Sequence, residues 1–234
     1  NSVEIEDTYL RLDQDIARFL KALDQEVGKG NYSLFLTADH GAVNNPAYLQ
    51  SRNINAGYFD RSDFRDKLNK ALIEKYGSED LISNIYNDQI FFNKANLIKN
   101  NINAIDLENF IASTIIDYKH IDKVFTRKAL VSGVMQDGTG KLIQNGFHQK
   151  RSGDVIYVLE PAVISYSKTG STHGSSQSYD THVPLLFYGN GIKQGSSSKR
   201  TEIIDIAPTI SSLLKISFPN GATGNPINEV LIKS

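Results

Sequence analysis

The sequence predicts an α/β fold in which helices flank a central sheet. The order of the predicted elements carries this prediction: a helix and a short apolar strand open the chain, a long mixed segment follows, and a strand and a helix close it. Short apolar strands that end in polar loops are typical of sheets covered by helices. We therefore expect a core built from both ends of the sequence and interrupted by an α+β insertion.

A helix and a strand are the first two elements. Residues 3–27 carry apolar side chains at three- and four-residue steps, which predicts a helix with one apolar stripe that ends near Gly28. The segment from Tyr32 to Thr37 is short and apolar, which predicts a central strand. In helix-flanked sheets, ligands bind beyond the carboxyl ends of strands, so the residues after Thr37 are candidates for a site.

The middle of the chain has a different character, with alternating helical and strand patterns and no internal repeat. Its predicted elements are a helix at 64–76, a strand at 85–93, a helix at 106–120, a strand at 124–131, a turn at 137–140 and a strand at 154–159. The core pattern then resumes with a strand at 183–188 and a helix at 203–214, in which Pro208 lies in the first turn. We expect a first core part at 1–50, an insertion subdomain at 51–160 and a second core part at 161–234.

Composition excludes several classes of function. The 234 residues carry a net charge of −1, which gives no basic field for nucleic acid or an anionic membrane. The chain has no cysteine, so any metal site must use Asp, Glu or His. No apolar run approaches the roughly 20 residues that span a bilayer. The first residue is Asn1 and the sequence starts within a helical pattern, so we expect a processed or truncated product.

Two short motifs carry the candidate chemistry. Asp39 and His40 follow the predicted strand and precede Gly41, and His173 precedes Gly174 in a loop rich in Gly and Ser. A carboxylate and an imidazole at a strand end, together with a distant His-Gly loop, are often how a catalytic divalent-metal site is assembled.

The chain resembles the alkaline phosphatase superfamily, and more narrowly the single-chain periplasmic phosphatases of the type found in Bacteroidetes, which are related to nucleotide pyrophosphatases. The resemblance lies in the order of five stretches: residues 3–13, Leu36-Thr37-Ala38-Asp39-His40-Gly41, Arg151-Ser152-Gly153-Asp154-Val155, Thr172-His173-Gly174-Ser175 with residues 179–185, and residues 201–209. It implies an alkaline-phosphatase-like core with a mostly parallel central sheet, present here only in part. It also implies a periplasmic or secreted location.

The resemblance further implies hydrolysis of small phosphate esters with two Zn²⁺ ions. Asp39 and His40 match ligands of the zinc that holds the nucleophile, and His173 matches a ligand of the zinc on the leaving-group side. The nucleophile and the other ligands of the family lie upstream of everything seen here, so no catalytic nucleophile is assigned in this chain. We therefore expect a C-terminal portion that is inactive by itself.

Other residues near these motifs have alternative interpretations. His182 is a possible extra ligand, although the family pattern uses the His before Gly, and His120 and His148 fit surface positions better. Thr37 and Thr172 could be mistaken for a nucleophile, but we expect local hydrogen bonds or support of a ligand.

Lys150 and Arg151 could face phosphate or could simply form a turn before the next strand. The rival functions are a phosphodiesterase or nucleotide pyrophosphatase of the same superfamily, and a non-catalytic binding module. A sulfatase and a phosphoglycerate mutase fit the motifs less well.

Overall fold

The computed structural model describes residues 2–136 and 138–232. The helices are α1 Val3–Leu23, α2 Pro46–Ser51, α3 Arg61–Tyr76, α4 Lys94–Lys99, α5 Ala104–Ile115, α6 Arg127–Ser132, α7 Gly138–Gly146, α8 Ser178–Thr181 and α9 Ile206–Leu214. The strands are β1 Ser33–Thr37, β2 Gly57–Tyr58, β3 Ile82–Tyr86, β4 Gln89–Phe92, β5 Ile121–Thr126, β6 Val155–Leu159, β7 Val163–Ile164 and β8 Leu185–Gly189. This mixture of helices and strands confirms the predicted α/β class.

The chain forms two compact units. The terminal unit combines the sequence up to Ala38 with the sequence from Pro184 onward, and the central unit spans Asp39–Val183. The predicted division at residues 50 and 160 followed composition rather than contacts, and it stays a prediction.

In the terminal unit, β1 and β8 pair with each other and α1 forms the long opening helix. We expected a mostly parallel central sheet, but these two strands are antiparallel, with Phe35 opposite Phe187. The side chain of Ser2 caps α1 by accepting the N–H of Ile5 at 3.3 Å, which satisfies one free donor of the first turn. The apolar stripe predicted on this helix forms, yet none of the residues of α1 is buried.

The central unit is built around a four-stranded antiparallel sheet in the order β3-β4-β6-β5, with β2 and β7 forming a separate parallel pair. The helices α3 and α5 pack on each other, and α5 also packs on β5 and β6. Apolar and aromatic side chains from these elements form one core, which includes Phe59, Phe64, Leu68, Leu72, Leu107, Ile111, Val155 and Tyr157. The loops that carry the candidate site belong to the same unit as this core.

Two strand predictions in the central unit are wrong. The predicted strand at 85–93 is the end of one strand, a tight turn and the next strand, because Asn87 and Asp88 adopt positive φ angles of 47° and 57° and reverse the chain. The predicted strand at 124–131 stops at Thr126, whose hydroxyl accepts the N–H of Ala129 at 3.2 Å and thereby caps α6. The described residues of the predicted turn at 137–140 are the first residues of α7. Asp137 itself lies outside the described residues.

Candidate functional site

Asp39 and His40 follow β1 in the chain and are oriented by each other and by Gly41. Asp39 Oδ1 accepts the backbone N–H of His40 at 3.0 Å, and Asp39 Oδ2 lies 3.5 Å from His40 Nε2. His40 Nδ1 lies 2.7 Å from the Gly41 carbonyl oxygen, which can only accept, so this ring nitrogen carries the proton. The lone pair of His40 is therefore on Nε2, beside the carboxylate of Asp39.

The structure also brings His173 to the same place. The imidazole rings of His40 and His173 stack with their centroids 3.4 Å apart and their planes 14° from parallel. Since the two residues come from loops far apart in the sequence, this contact is produced by the fold of the central unit. All three residues that the sequence singled out are thus neighbours.

One distance between side-chain atoms of this group is compatible with a shared zinc ion. Two ligand atoms on one tetrahedral zinc, each about 2.1 Å from the metal, lie about 3.4 Å apart. Asp39 Oδ2 and His40 Nε2 are separated by 3.5 Å, so these two atoms could bind one ion with little movement. Over residues 2–136 and 138–232, no cluster of three or more His, Cys, Asp or Glu side chains is arranged to hold a metal by itself.

Asp180 is a residue of this site that the sequence reasoning did not single out. Its carboxylate Oδ2 accepts the N–H and the O–H of Ser175 at 2.7 and 2.6 Å, and its backbone carbonyl accepts the N–H of Gly41 at 2.8 Å. One buried residue therefore hydrogen-bonds to both loops that carry the histidines, through its side chain to Ser175 and through its backbone to Gly41. Its signal in the sequence was its place in residues 179–185, which belong to one of the stretches that carry the family resemblance.

A cavity of about 670 Å³ in the central unit adjoins the His173 loop. His173 and Asp180 line it, and so do Arg61, Asp88 and Tyr157. Burial raises the pKa of the Asp88 carboxyl, and Arg61, whose guanidinium lies 3.3 Å away, partly offsets this effect. Burial and the neighbouring Asp88 raise the pKa of the Tyr157 hydroxyl, which therefore stays protonated at neutral pH. The cavity combines aromatic surface with polar groups, as small-molecule sites do.

The remaining histidines lie elsewhere. The expectation that His120 is a surface residue is wrong, because it is largely covered and its Nδ1 lies 2.9 Å from Glu160 Oε2. The pairing was not visible in the sequence because the partners are far apart along the chain. His148 is exposed, as expected, and His182 is exposed at the end of α8.

The remaining candidate residues lie in a turn, at the end of β1 and along the cavity. Lys150 and Arg151 are exposed in the turn that precedes β6, and the N–H of Arg151 donates to the carbonyl of His148, which confirms the turn. Thr37 makes the local contact expected for it, from its hydroxyl to the Ala38 carbonyl at 3.5 Å. Thr172 lines the same cavity as its neighbour His173.

Helices that could cross a bilayer are not found among the described residues, since none is both long and apolar enough.

Known proteins provide three relevant comparisons. The chain is 46% identical over 237 residues to a protein of Myroides odoratus named calcium-transporting ATPase, and 40% identical over 232 residues to alkaline phosphatase PafA of Elizabethkingia meningoseptica. Each alignment covers 99% of this chain and 42% of the relative, so the chain spans less than half of the length of these relatives. The crystal structure of wild-type PafA superimposes with a TM-score of 0.92 at 40% identity, over 99% of this chain and 44% of that one.

The family assignment rests on a longer match than any single motif. Residues 1–183 match the family described as type I phosphodiesterase / nucleotide pyrophosphatase. This range includes both candidate loops. The chain therefore belongs to the type I phosphodiesterase / nucleotide pyrophosphatase family.

Proposed function

We propose that this chain contributes part of the active site of a zinc-dependent phosphate monoester hydrolase similar to alkaline phosphatases. Asp39 and His40 bind one zinc ion in this proposal, and His173 binds a second. The observation that supports it most strongly is the convergence of the three side chains, with Asp39 Oδ2 3.5 Å from His40 Nε2 and the rings of His40 and His173 in contact. The relatives named alkaline phosphatase support the class of reaction.

The residues of this chain would hold and orient the ions. When bound, the zinc ions supply positive charge that stabilises the attacking and leaving oxygens of a phosphoryl group. The Gly41 carbonyl holds the proton of His40 on Nδ1, which keeps Nε2 free as a ligand atom. Asp39 leaves 87% of its side chain exposed, so its carboxylate is accessible from outside the unit.

The chain by itself is proposed to be catalytically inactive. Two tetrahedral zinc ions need about eight ligand positions, and Asp39, His40 and His173 supply only a minority of them. The nucleophile and the other ligands are proposed to come from outside these 234 residues, in a protein located in the periplasm or secreted. An enzyme-like rate of phosphate monoester hydrolysis by the purified 234-residue chain would contradict this part of the proposal.

A phosphodiesterase is the second candidate, because the matching family is described as type I phosphodiesterase / nucleotide pyrophosphatase. The ligands named above would serve either reaction. The ratio of kcat/KM for p-nitrophenyl phosphate to kcat/KM for bis(p-nitrophenyl) phosphate, measured on the natural protein, separates the two. A ratio above one supports the monoesterase, and a ratio below one supports the diesterase.

The metal assignment is tested in the natural protein that carries this sequence. His40→Ala and His173→Ala should each lose bound zinc, measured by elemental analysis, and should lose more than about 100-fold in monoesterase rate, since even partners outside the ligand set contribute 10- to 100-fold. His148→Ala is the matched control, because His148 is an exposed histidine of the same unit. Zinc content that stays at the wild-type level in both variants would overturn the assignment.

A further inference from the structure

Asp180 is bonded directly to the loop that carries His173. Only 5% of its surface is exposed, and its Oδ2 accepts both the N–H and the O–H of Ser175 at 2.7 and 2.6 Å. Hydrogen bonds to a carboxylate are roughly twice as strong as those between neutral groups. Between Ser175 and His173 lies Gly174, whose φ of 114° is one that side chains rarely adopt. The two bonds therefore fix the loop immediately after this sharp change in direction.

The same residue is bonded to the loop that carries His40. The backbone carbonyl of Asp180 accepts the N–H of Gly41 at 2.8 Å. The two backbones approach so closely that a Cβ on Gly41 would lie 2.1 Å from the carbonyl oxygen of Tyr179. Asp180 therefore holds Gly41, the residue directly after His40. It also holds Ser175, which lies two residues after His173.

The close packing of these loops does not require the side chain of Asp180 to be a carboxylate. A buried charge is costly unless all of its oxygens are bonded, and Asp180 Oδ1 is a buried atom without a hydrogen-bond partner in the described part of the chain. A neutral residue could fill the same space at lower cost. The carboxylate is bonded to the loop of His173, and the backbone of the same residue is bonded to the loop of His40. A costly side chain at this junction is better explained by the site than by the stability of the fold.

We propose that Asp180 is a positioning residue of the metal centre, which holds the loops of His40 and His173 so that their imidazoles meet. This inference rests on the proposed function, because it assigns a role toward the zinc ions that His40 and His173 would bind. Asp180 itself need not contact metal or substrate. Its contribution is the relative position of two ligand-bearing loops.

The test uses variants of Asp180 and Ser175 in the natural protein. Zinc affinity is measured by competition with a chelator, and the visible absorption spectrum of the Co²⁺-substituted protein reports the ligand geometry. Asp180→Ala should weaken zinc binding 10- to 100-fold, as the loss of a group that orients metal ligands does, and should change the Co²⁺ spectrum. Asp180→Asn keeps an acceptor for Ser175 and should lose less than Asp180→Ala.

Ser175→Ala removes one of the two bonds to Asp180, and Ser176→Ala is its matched control in the same loop. The hydroxyl of Ser176 contacts Thr139 Oγ1 at 3.4 Å and not Asp180. Ser175→Ala should weaken zinc binding by up to about 10-fold, whereas Ser176→Ala should stay within about twofold of wild type. These two variants carry the test if Asp180→Ala does not fold.

A purely structural role would lower the thermal midpoint but leave the zinc affinity and Co²⁺ spectrum of the folded protein unchanged. That result in Asp180→Ala and Ser175→Ala would overturn the positioning role. His40→Ala and His173→Ala are measured alongside. If they lose zinc while the Asp180 and Ser175 variants do not, only this inference fails. If they also bind zinc normally, the proposed function fails.

Discussion

The close approach of Gly41 to the segment of Tyr179 and Asp180 makes Gly41→Ala the most informative single substitution. The added Cβ would lie 2.1 Å from the Tyr179 carbonyl oxygen, far inside the contact distance of real side chains. Both atoms belong to the backbone or are fixed to it, so no side-chain rotation can relieve the overlap. The two segments must therefore move apart.

The cost follows from the size of this movement. A separation of roughly 1 Å is needed to restore an ordinary contact, and it would stretch the 2.8 Å bond from the Gly41 N–H to the Asp180 carbonyl beyond hydrogen-bond range. Losing that bond costs about 1 kcal/mol, and overpacking costs about 1–3 kcal/mol. Adding these two contributions gives an expected local destabilisation of about 2–4 kcal/mol.

The assay is hydrogen exchange followed by mass spectrometry in the natural protein, on peptides that cover residues 39–43 and 175–181. A local loss of 2 kcal/mol or more corresponds to exchange that is about 30-fold faster or more. Gly146→Ala is the control, because a Cβ at this position of the same unit meets no atom within 4 Å. Exchange in Gly41→Ala within about twofold of the control would refute the reasoning.

Three further predictions concern stability. Ile111→Ala, at a position with 0% exposure, should destabilise the protein by about 2–5 kcal/mol, whereas Ile98→Ala, at 81% exposure, should stay within about 0.5 kcal/mol in denaturant unfolding. Burial raises the pKa of the Glu108 carboxyl, so the folded protein binds this proton more readily than the unfolded chain, and stability should fall as pH rises above about 4.5. Glu108→Gln should flatten the change in thermal midpoint between pH 4.5 and 7, and an unchanged slope would contradict this. The carboxylate of Asp205 accepts two backbone N–H groups at 2.8 and 2.9 Å. Asp205→Ala should lower the free energy of unfolding by about 1–2 kcal/mol, and Asp205→Asn should lower it less, measured by thermal unfolding.

Elements with strong periodicity were predictable from the sequence, and those decided by single polar residues were not. The opening helix and the strand before Asp39 form nearly as predicted. The hairpin turn at Asn87 and Asp88 was hidden in a run rich in aromatic and aliphatic residues. The turn signal is these two polar residues, which accept positive φ more easily than most. The cap provided by Thr126 was missed for the same reason, because this residue also lies within a segment that was predicted as one strand.

The candidate site was predictable where its chemistry lies in short motifs. Asp39, His40 and His173 are the residue types that zinc prefers, and the fold brings them together. Asp180 was not predicted to have a role, because its hydrogen bonds join two loops that become neighbours only in the folded chain. The pairing of His120 with a distant glutamate was missed for the same reason.

The most direct test of the central claim is anomalous diffraction at the zinc edge from crystals of the natural protein. We expect one zinc peak within about 2.2 Å of both Asp39 Oδ2 and His40 Nε2, and a second peak within about 2.2 Å of a ring nitrogen of His173. Zinc bound at other residues, with these three side chains free of metal, would contradict the proposed metal assignment.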